Sequence, residues 1–217
     1  MKIERALGII DAQRGFMPKA ESDRLGLEGF GELPVNDGET IVGPINALIG
    51  AFVLRAYDTF TTQDWHPYRT AHFSDRPDFK STWPRHCVAF TNGAELHPHI
   101  NIPSRNTRFV KGFNVLTDVN NDDSYSGFNA VDLDTGIYLP EWLRNRNIEE
   151  VVIAGLALDY CVRSTALDLR QKLGLNVIVA IDATRGIDAT AIEDTLSEFE
   201  ATGVNIANTN ELLESME

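Results

Sequence analysis

The strongest constraint on the fold is an alternation of two patterns along the chain. Short runs made almost wholly of apolar residues recur at Ala6–Ile10, Val151–Ala154, Val177–Ile181 and, more weakly, Val204–Ala207. Runs of this length and continuity read as parallel strands covered on both faces. Ala56–Thr62 and Thr107–Lys111 are two further strand candidates. Helical periodicity lies between them. Glu39–Val53 places Ile41, Ile45, Leu48 and Phe52 on one face, and Cys161–Leu173 carries Val162, Ala166, Leu169 and Leu173 at helical spacing with Gly174 as its stop. Ala189–Ala201 carries Ile192, Leu196 and Phe199. Alternation with short connections predicts an α/β fold: a three-layer doubly wound sheet, mostly parallel, with helices on both faces. No repeat, low-complexity tract or linker interrupts the pattern, so residues 1–217 read as a single domain with one substantial core.

Charge narrows the partners. The 19 basic and 32 acidic residues leave a net charge of −13. Such a surface repels nucleic acid and anionic membranes, and neither is expected as a partner. No segment approaches the roughly 20 apolar residues of a membrane span. The start lacks the shape of a signal peptide. The two cysteines, Cys87 and Cys161, cannot build a disulfide framework of the secreted kind. These features favour a soluble protein in a reducing cytoplasm.

In open α/β sheets, sites lie at the carboxyl ends of the strands. Asp11 directly follows the first strand, Lys111 closes Arg108-Phe109-Val110-Lys111, and Cys161 follows the Val151 strand by one loop. A cysteine that opens a helix meets backbone N–H groups and the positive end of the helix dipole, which favour thiolate. The competing reading is a packed structural cysteine. A thiol nucleophile needs a base and a counter-charge, which a carboxylate and an ammonium supply. Asp11 would raise the thiol pKa and Lys111 lower it, and the sequence leaves the balance open. Taken singly, Asp11 is explained as a turn residue and Lys111 as a solvated strand end; their joint placement favours chemistry. Asp182 and Thr184 follow a fourth strand, with capping or turn formation as their expected role.

From about Gln63 to Asn106 periodicity fades, and Pro, His, Trp and Asp accumulate. A long irregular segment inside a compact domain is usually functional. Within it, Asp64, His66, His72 and His86 form a set that suits a divalent ion, since carboxylate and imidazole are ligands for Zn, Fe or Mn. Ordinary hydrogen-bonded histidines are the alternative. Cys87 adjoins His86, and His86 is preferred because adjacent residues rarely both point inward. His97 and His99 lie in an exposed-looking His-Pro-His loop and are expected to be non-ligands. The glycine-rich stretch Ser22–Asn36 reads either as a mobile flap or as an ordinary surface loop, and the surface loop is the favoured reading.

These stretches resemble one family in order and nearly throughout the chain. They are Ile9–Phe16 (IIDAQRGF), Thr62–Pro67 (TQDWHP), Ala71-His72-Phe73, Trp83–Cys87 (WPRHC), Val110-Lys111-Gly112, Asp123–Phe128 (DSYSGF) and Gly155–Thr165 (GLALDYCVRST). The chain resembles the cysteine hydrolases of the isochorismatase-like superfamily, most closely the nicotinamidase/pyrazinamidase group. The resemblance implies a catalytic triad of Asp11, Lys111 and Cys161, and a metal site of Asp64, His66, His72 and His86. It implies an oxyanion hole from the backbone N–H groups of Ala157 and Cys161, beside a non-proline cis peptide at Leu156–Ala157. Phe16, Trp83 and Tyr125 fall where the family has pocket aromatics, whereas Phe128 is expected to pack in the core. The implied activity is hydrolysis of nicotinamide to nicotinate and ammonia through a cysteine thioester, with pyrazinamide as a further substrate, in NAD salvage. The implied cofactor is one divalent ion, zinc first, with iron or manganese as alternatives. The implied partner is a small-molecule amide, and relatives range from monomers to larger homo-oligomers. Two other hydrolases remain open: a superfamily amidohydrolase acting on a carbamoyl or ureido substrate, and an enzyme whose nucleophile is metal-activated water. A non-enzymatic metal-binding or interaction module is the remaining alternative.

Overall fold

The computed structural model describes residues 3–113 and 125–216 of the chain. Strand β1 (Arg5–Ile10) is followed by the short helix α1 (Ala20–Leu25) and by α2 (Val42–Leu54), then by β2 (Asp58–Asp64) and β3 (Thr107–Lys111). Helix α3 (Leu139–Asn145) leads to β4 (Glu150–Leu156), and a π-helical turn, Leu158–Val162, leads into α4 (Arg163–Leu173). The chain continues with β5 (Asn176–Arg185), α5 (Ala189–Thr202), β6 (Asn205–Ala207) and α6 (Thr209–Ser215). The sheet order is β3-β2-β1-β4-β5-β6, and every neighbouring pair is parallel.

The alternation of β1 divides the core in two. Leu7 and Ile9 face a cluster that contains Ile45, Leu48, Ile49 and Phe52 of α2 and Leu212 of α6. Ala6 and Ile10 face a cluster with Leu139, Trp142 and Leu143 of α3, Ala166 and Leu169 of α4 and Phe199 of α5. Successive side chains on a strand point to opposite faces, so a run apolar at every position needs a helical layer on each side. The doubly wound expectation therefore holds, and the sheet is wholly parallel among the described residues.

Several local expectations need correction. The helix expected from Cys161 begins at Arg163, because Leu158–Val162 forms a π turn closed by the Val162 N–H donating to the Ala157 carbonyl at 3.1 Å. Asp182 and Thr184 lie inside β5 rather than beyond it. They sit where the β4–β5 register shifts between Ile153 and Gly155. Asp182 is not the N-cap of a helix, yet it anchors the start of α6 from the sheet: its Oδ1 accepts from the N–H of Thr209 at 2.8 Å and from the Thr209 hydroxyl at 2.9 Å. Helix α3 adds to the expected elements, and its signal is Leu139, Trp142 and Leu143 at helical spacing, with Pro140 in the first turn. The capping box of Asn208 and Glu211 at α6 is a further addition.

Gly155 turns β4 toward the site. Its φ is +122°, and a Cβ there would lie 1.9 Å from the Ile10 carbonyl oxygen. Only glycine allows β1 and β4 to run this close at the point where the chain leaves the sheet. Gly155→Ala is expected to cost about 2–4 kcal/mol, combining steric overpacking with a disfavoured φ. A urea unfolding midpoint equal to that of the native chain would refute this.

Candidate active site

The strand order reverses direction at β1, where β2 lies on one side and β4 on the other. Crevices at such switch points, outside the carboxyl ends of the strands, are where doubly wound folds hold ligands. Asp11 follows β1 with a φ of +45°. Its N–H donates to the Thr62 carbonyl at 3.1 Å, and its Oδ1 accepts from the Thr62 hydroxyl at 2.7 Å. Lys111 is the last residue of β3. Its Nζ lies 2.9 Å from Asp11 Oδ2 and 3.3 Å from Cys161 Sγ, and it also donates to Asp64 Oδ1. The structure thus brings together Asp11 just past β1, Lys111 at the end of β3 and Cys161 in the π turn after β4.

Burial makes this cluster interdependent. Lys111 is 2% exposed and Asp11 fully buried. A buried charge persists only when paired. Burial works against the Lys111 ammonium, but Asp11, Asp64 and Cys161 together hold its pKa well above that of an ordinary lysine. Asp11 has a raised pKa: burial is the main cause, Lys111 opposes it, and Asp64 adds to it. The Cys161 thiol is pushed well up by burial, with Lys111 opposing and Asp11 and Asp64 reinforcing. The balance left open by the sequence therefore falls toward thiol. Cys87, the other free cysteine, is fully buried and also raised by burial.

The second oxygen of Asp64 faces the histidines. Oδ2 lies 3.6 Å from His66 Nε2 and 3.9 Å from His86 Nε2. One ring nitrogen each from His66, His72 and His86 lies within 4.8 Å of the others. Backbone carbonyls hold the opposite nitrogens: Gly112 O is 3.0 Å from His66 Nδ1, and Pro84 O is 2.7 Å from His86 Nδ1. A carbonyl can only accept, so each of these two Nδ1 atoms carries the proton, which leaves the Nε2 lone pair able to ligate a metal. Burial pushes the pKa of His72 down to about 4 and that of His86 to about 3, which keeps both rings in the neutral form a metal requires. Burial opposes the Asp64 charge, but Lys111 and the neighbouring histidines hold the carboxylate ionised. Three imidazoles and one carboxylate oxygen fit a divalent ion of the Zn, Fe or Mn kind.

These groups open into one pocket of about 450 Å³, its mouth included. Asp64, His66, His72, His86, Ala157 and Cys161 bound it, and so do Phe16, Trp83 and Tyr125. The Leu156–Ala157 peptide is cis. Trp83 Nε1 donates to the Tyr125 hydroxyl at 2.9 Å, and the Phe16 and His86 rings lie 5.4 Å apart. Phe128 is partly buried against the α3–α5 cluster, under the Lys172 ammonium at 4.9 Å. Asp123 and Ser124 lie outside the described residues.

Sequence reasoning missed part of the wall. Tyr160 packs edge-on against Trp83 at 5.2 Å and Tyr125 at 5.5 Å. Ile187 also lines the pocket, and its N–H is held by the Asp159 carboxylate at 3.0 Å. The expectation that Ser22–Asn36 is an ordinary surface loop is wrong, because Leu33 and Val35 line the pocket. Their signal was an apolar pair at strand spacing in a polar stretch. His97 is not exposed: it is 1% accessible, with Nε2 3.1 Å from Glu21 Oε2.

Comparison with known proteins places this geometry in a family. The isochorismatase domain matches residues 5–211, and the chain belongs to that family. It is 35% identical over 93% of its length to the nicotinamidase/pyrazinamidase of Mycobacterium tuberculosis, of which the match covers 97%. It is 34% identical over 96% of its length to the nicotinamidase of Acinetobacter baylyi, of which the match covers 94%. Among solved structures, it superposes with a TM-score of 0.76 on the pyrazinamidase of Pyrococcus horikoshii in complex with zinc, at 33% identity and covering 94% of this chain and 99% of that one. No helix among the described residues is long and apolar enough to cross a membrane.

Replacing Lys111 with Met would keep the volume and leave Asp11 and Asp64 buried without their ammonium. The variant is expected to lose about 3–5 kcal/mol of stability. Because the Asp11 pKa is already raised, neutralising it relieves part of this cost, so the loss should shrink as pH falls into the carboxyl range. Urea unfolding across that range is the check, and a loss that grows on acidification would contradict the charge assignment.

Proposed function

We propose that this protein is a nicotinamidase: it hydrolyses nicotinamide to nicotinate and ammonia, and accepts pyrazinamide. The observation that carries the reading is the shared pocket, where Cys161, contacted by Lys111 at 3.3 Å, and the histidine cluster open onto one space walled by aromatic rings. Such a slot suits a small planar amide with one ring nitrogen to anchor. The relatives named nicotinamidase span nearly the whole chain and support the same reaction. The domain extends through residues 1–217, and the reaction serves NAD salvage in the cytoplasm, with a small amide as partner rather than nucleic acid or membrane.

The chain's own residues account for the proton traffic. Asp11 takes the thiol proton of Cys161, and the raised pKa of its carboxyl makes it a competent base and, once protonated, a competent acid. Lys111 keeps its charge and offsets the anions on either side. The thiolate adds to the amide carbon, and the backbone N–H groups of Ala157 and Cys161 receive the developing oxyanion. Each such donor typically contributes about 3–4 kcal/mol. Asp11 returns the proton to the departing ammonia, leaving a thioester. Water then hydrolyses the thioester with Asp11 again as base, which restores the thiol. A zinc ion held by Asp64, His66, His72 and His86 would supply an electrophilic anchor for the pyridine nitrogen.

Two measurements test this. Cys161→Ala is expected to lower ammonia release from nicotinamide by at least about a thousandfold while the variant still binds zinc; retained turnover would sink the assignment. Removing the metal from the native enzyme is expected to raise KM more than it lowers kcat, since the thiol needs no metal to react. A loss confined to kcat would favour metal-activated water instead.

A further inference from the structure

Glu32 precedes the pocket residue Leu33 and reaches across to the histidine loop. Its Oε2 accepts the N–H of Cys87 at 2.8 Å. Cys87 follows the proposed ligand His86 and carries a φ of +45°, a left-handed conformation unusual for a side-chain-bearing residue. The Cys87 carbonyl accepts the N–H of His66 at 3.1 Å. One residue therefore stands between two of the proposed metal ligands, and Glu32 supplies the acceptor for its otherwise buried N–H. Two glycines clear the space that the carboxylate occupies. A Cβ on Gly93 would lie 2.0 Å from Glu32 Oε2, and one on Gly15 would lie 3.0 Å from it. On the other side of Glu32 the chain is zipped to the pocket floor: Leu33 N–H donates to Gly15 O and Val35 N–H to Phe16 O, both at 2.9 Å.

From this arrangement we infer that Glu32 is a positioning residue for the metal-dependent amidase reaction: it fixes the pocket wall at Leu33 and Val35 and the ligand pair His66 and His86 to one another through the Cys87 peptide. The inference rests on the proposed metal-dependent function. A buried N–H that loses its acceptor costs the desolvation of that group, and the left-handed turn at Cys87 would then relax toward a commoner conformation. That relaxation moves both ligands. Outer-shell partners of metal ligands typically contribute about 10–100-fold in metal affinity. The role requires an acceptor oxygen and not a charge, so an amide should replace the carboxylate.

The decisive readout is zinc affinity by chelator competition on the purified chain, without substrate. Glu32→Ala is expected to weaken zinc by about 10–100-fold, while Glu32→Gln stays within about threefold of the native chain. Gly93→Ala, whose added methyl would displace the carboxylate, should weaken zinc in the same direction and keeps the test open if Glu32→Ala folds poorly. With nicotinamide at saturating zinc, the alanine variants should raise KM more than they lower kcat. The inference is overturned by native zinc affinity in Glu32→Ala, by a fall in Tm alone, or by a glutamine variant as weak as alanine. A native chain that binds zinc but releases no ammonia from nicotinamide would defeat the proposed substrate and leave the zinc comparison decisive. A native chain that takes up no zinc would defeat both.

Discussion

The site depends on one buried ammonium. Lys111 Nζ lies among Asp11, Asp64 and Cys161, and without it two carboxylates would sit in the interior with no counter-charge. Its position sets the chemistry available to each neighbour. Against Asp11 it permits a carboxyl whose pKa is raised yet still able to ionise. Against Asp64 it occupies one oxygen and leaves the other for the histidines. The proposed nucleophile and the proposed metal centre are thus joined through a single lysine–aspartate contact, and a change at either end is felt at the other.

The fold makes this contact available by its strand order. Asp11, Asp64 and Lys111 sit at the ends of β1, β2 and β3, and Cys161 sits in the turn that follows β4; these are four adjacent strands of one parallel sheet. Parallel alignment sends all four carboxyl ends to the same edge. Gly155 lets β4 press against β1 as it leaves the sheet, and the π turn that follows carries the thiol back over the strand ends. The long irregular segment between β2 and β3 then folds its histidines over the same edge. Backbone carbonyls, rather than side chains, orient two of the three rings: that of Gly112, just past β3, holds His66, and that of Pro84, within the segment, holds His86.

Much of this was legible from residues alone. Ala6–Ile10 and Val151–Ala154 announce buried strands because every position is apolar, and helices on both faces follow from that. The proposed catalytic and metal-binding residues stood out because chemically useful types end strands or crowd an irregular loop. Leu33, Val35, Tyr160 and Ile187 did not stand out. An apolar residue in a loop has the same local pattern whether it faces a pocket, the core or solvent. Glu32 was invisible for a related reason: its partner is a backbone N–H 55 positions away, and a backbone group leaves no trace in composition or periodicity. His97 misled because His-Pro-His looks like an exposed turn, whereas its buried partner Glu21 is 76 positions distant.

The sequence by itself determined the layer architecture, the parallel direction of the strands and the set of groups able to do chemistry, since these follow from local periodicity and from residue type. Tertiary structure alone decided the protonation balance and the shape of the pocket. A pKa depends on how deeply a group is buried and on which charges lie within a few ångströms, and neither is a property of neighbours along the chain. Asp11 and Lys111 pull the Cys161 thiol in opposite directions, and the depth of the cleft settles the contest toward the neutral form.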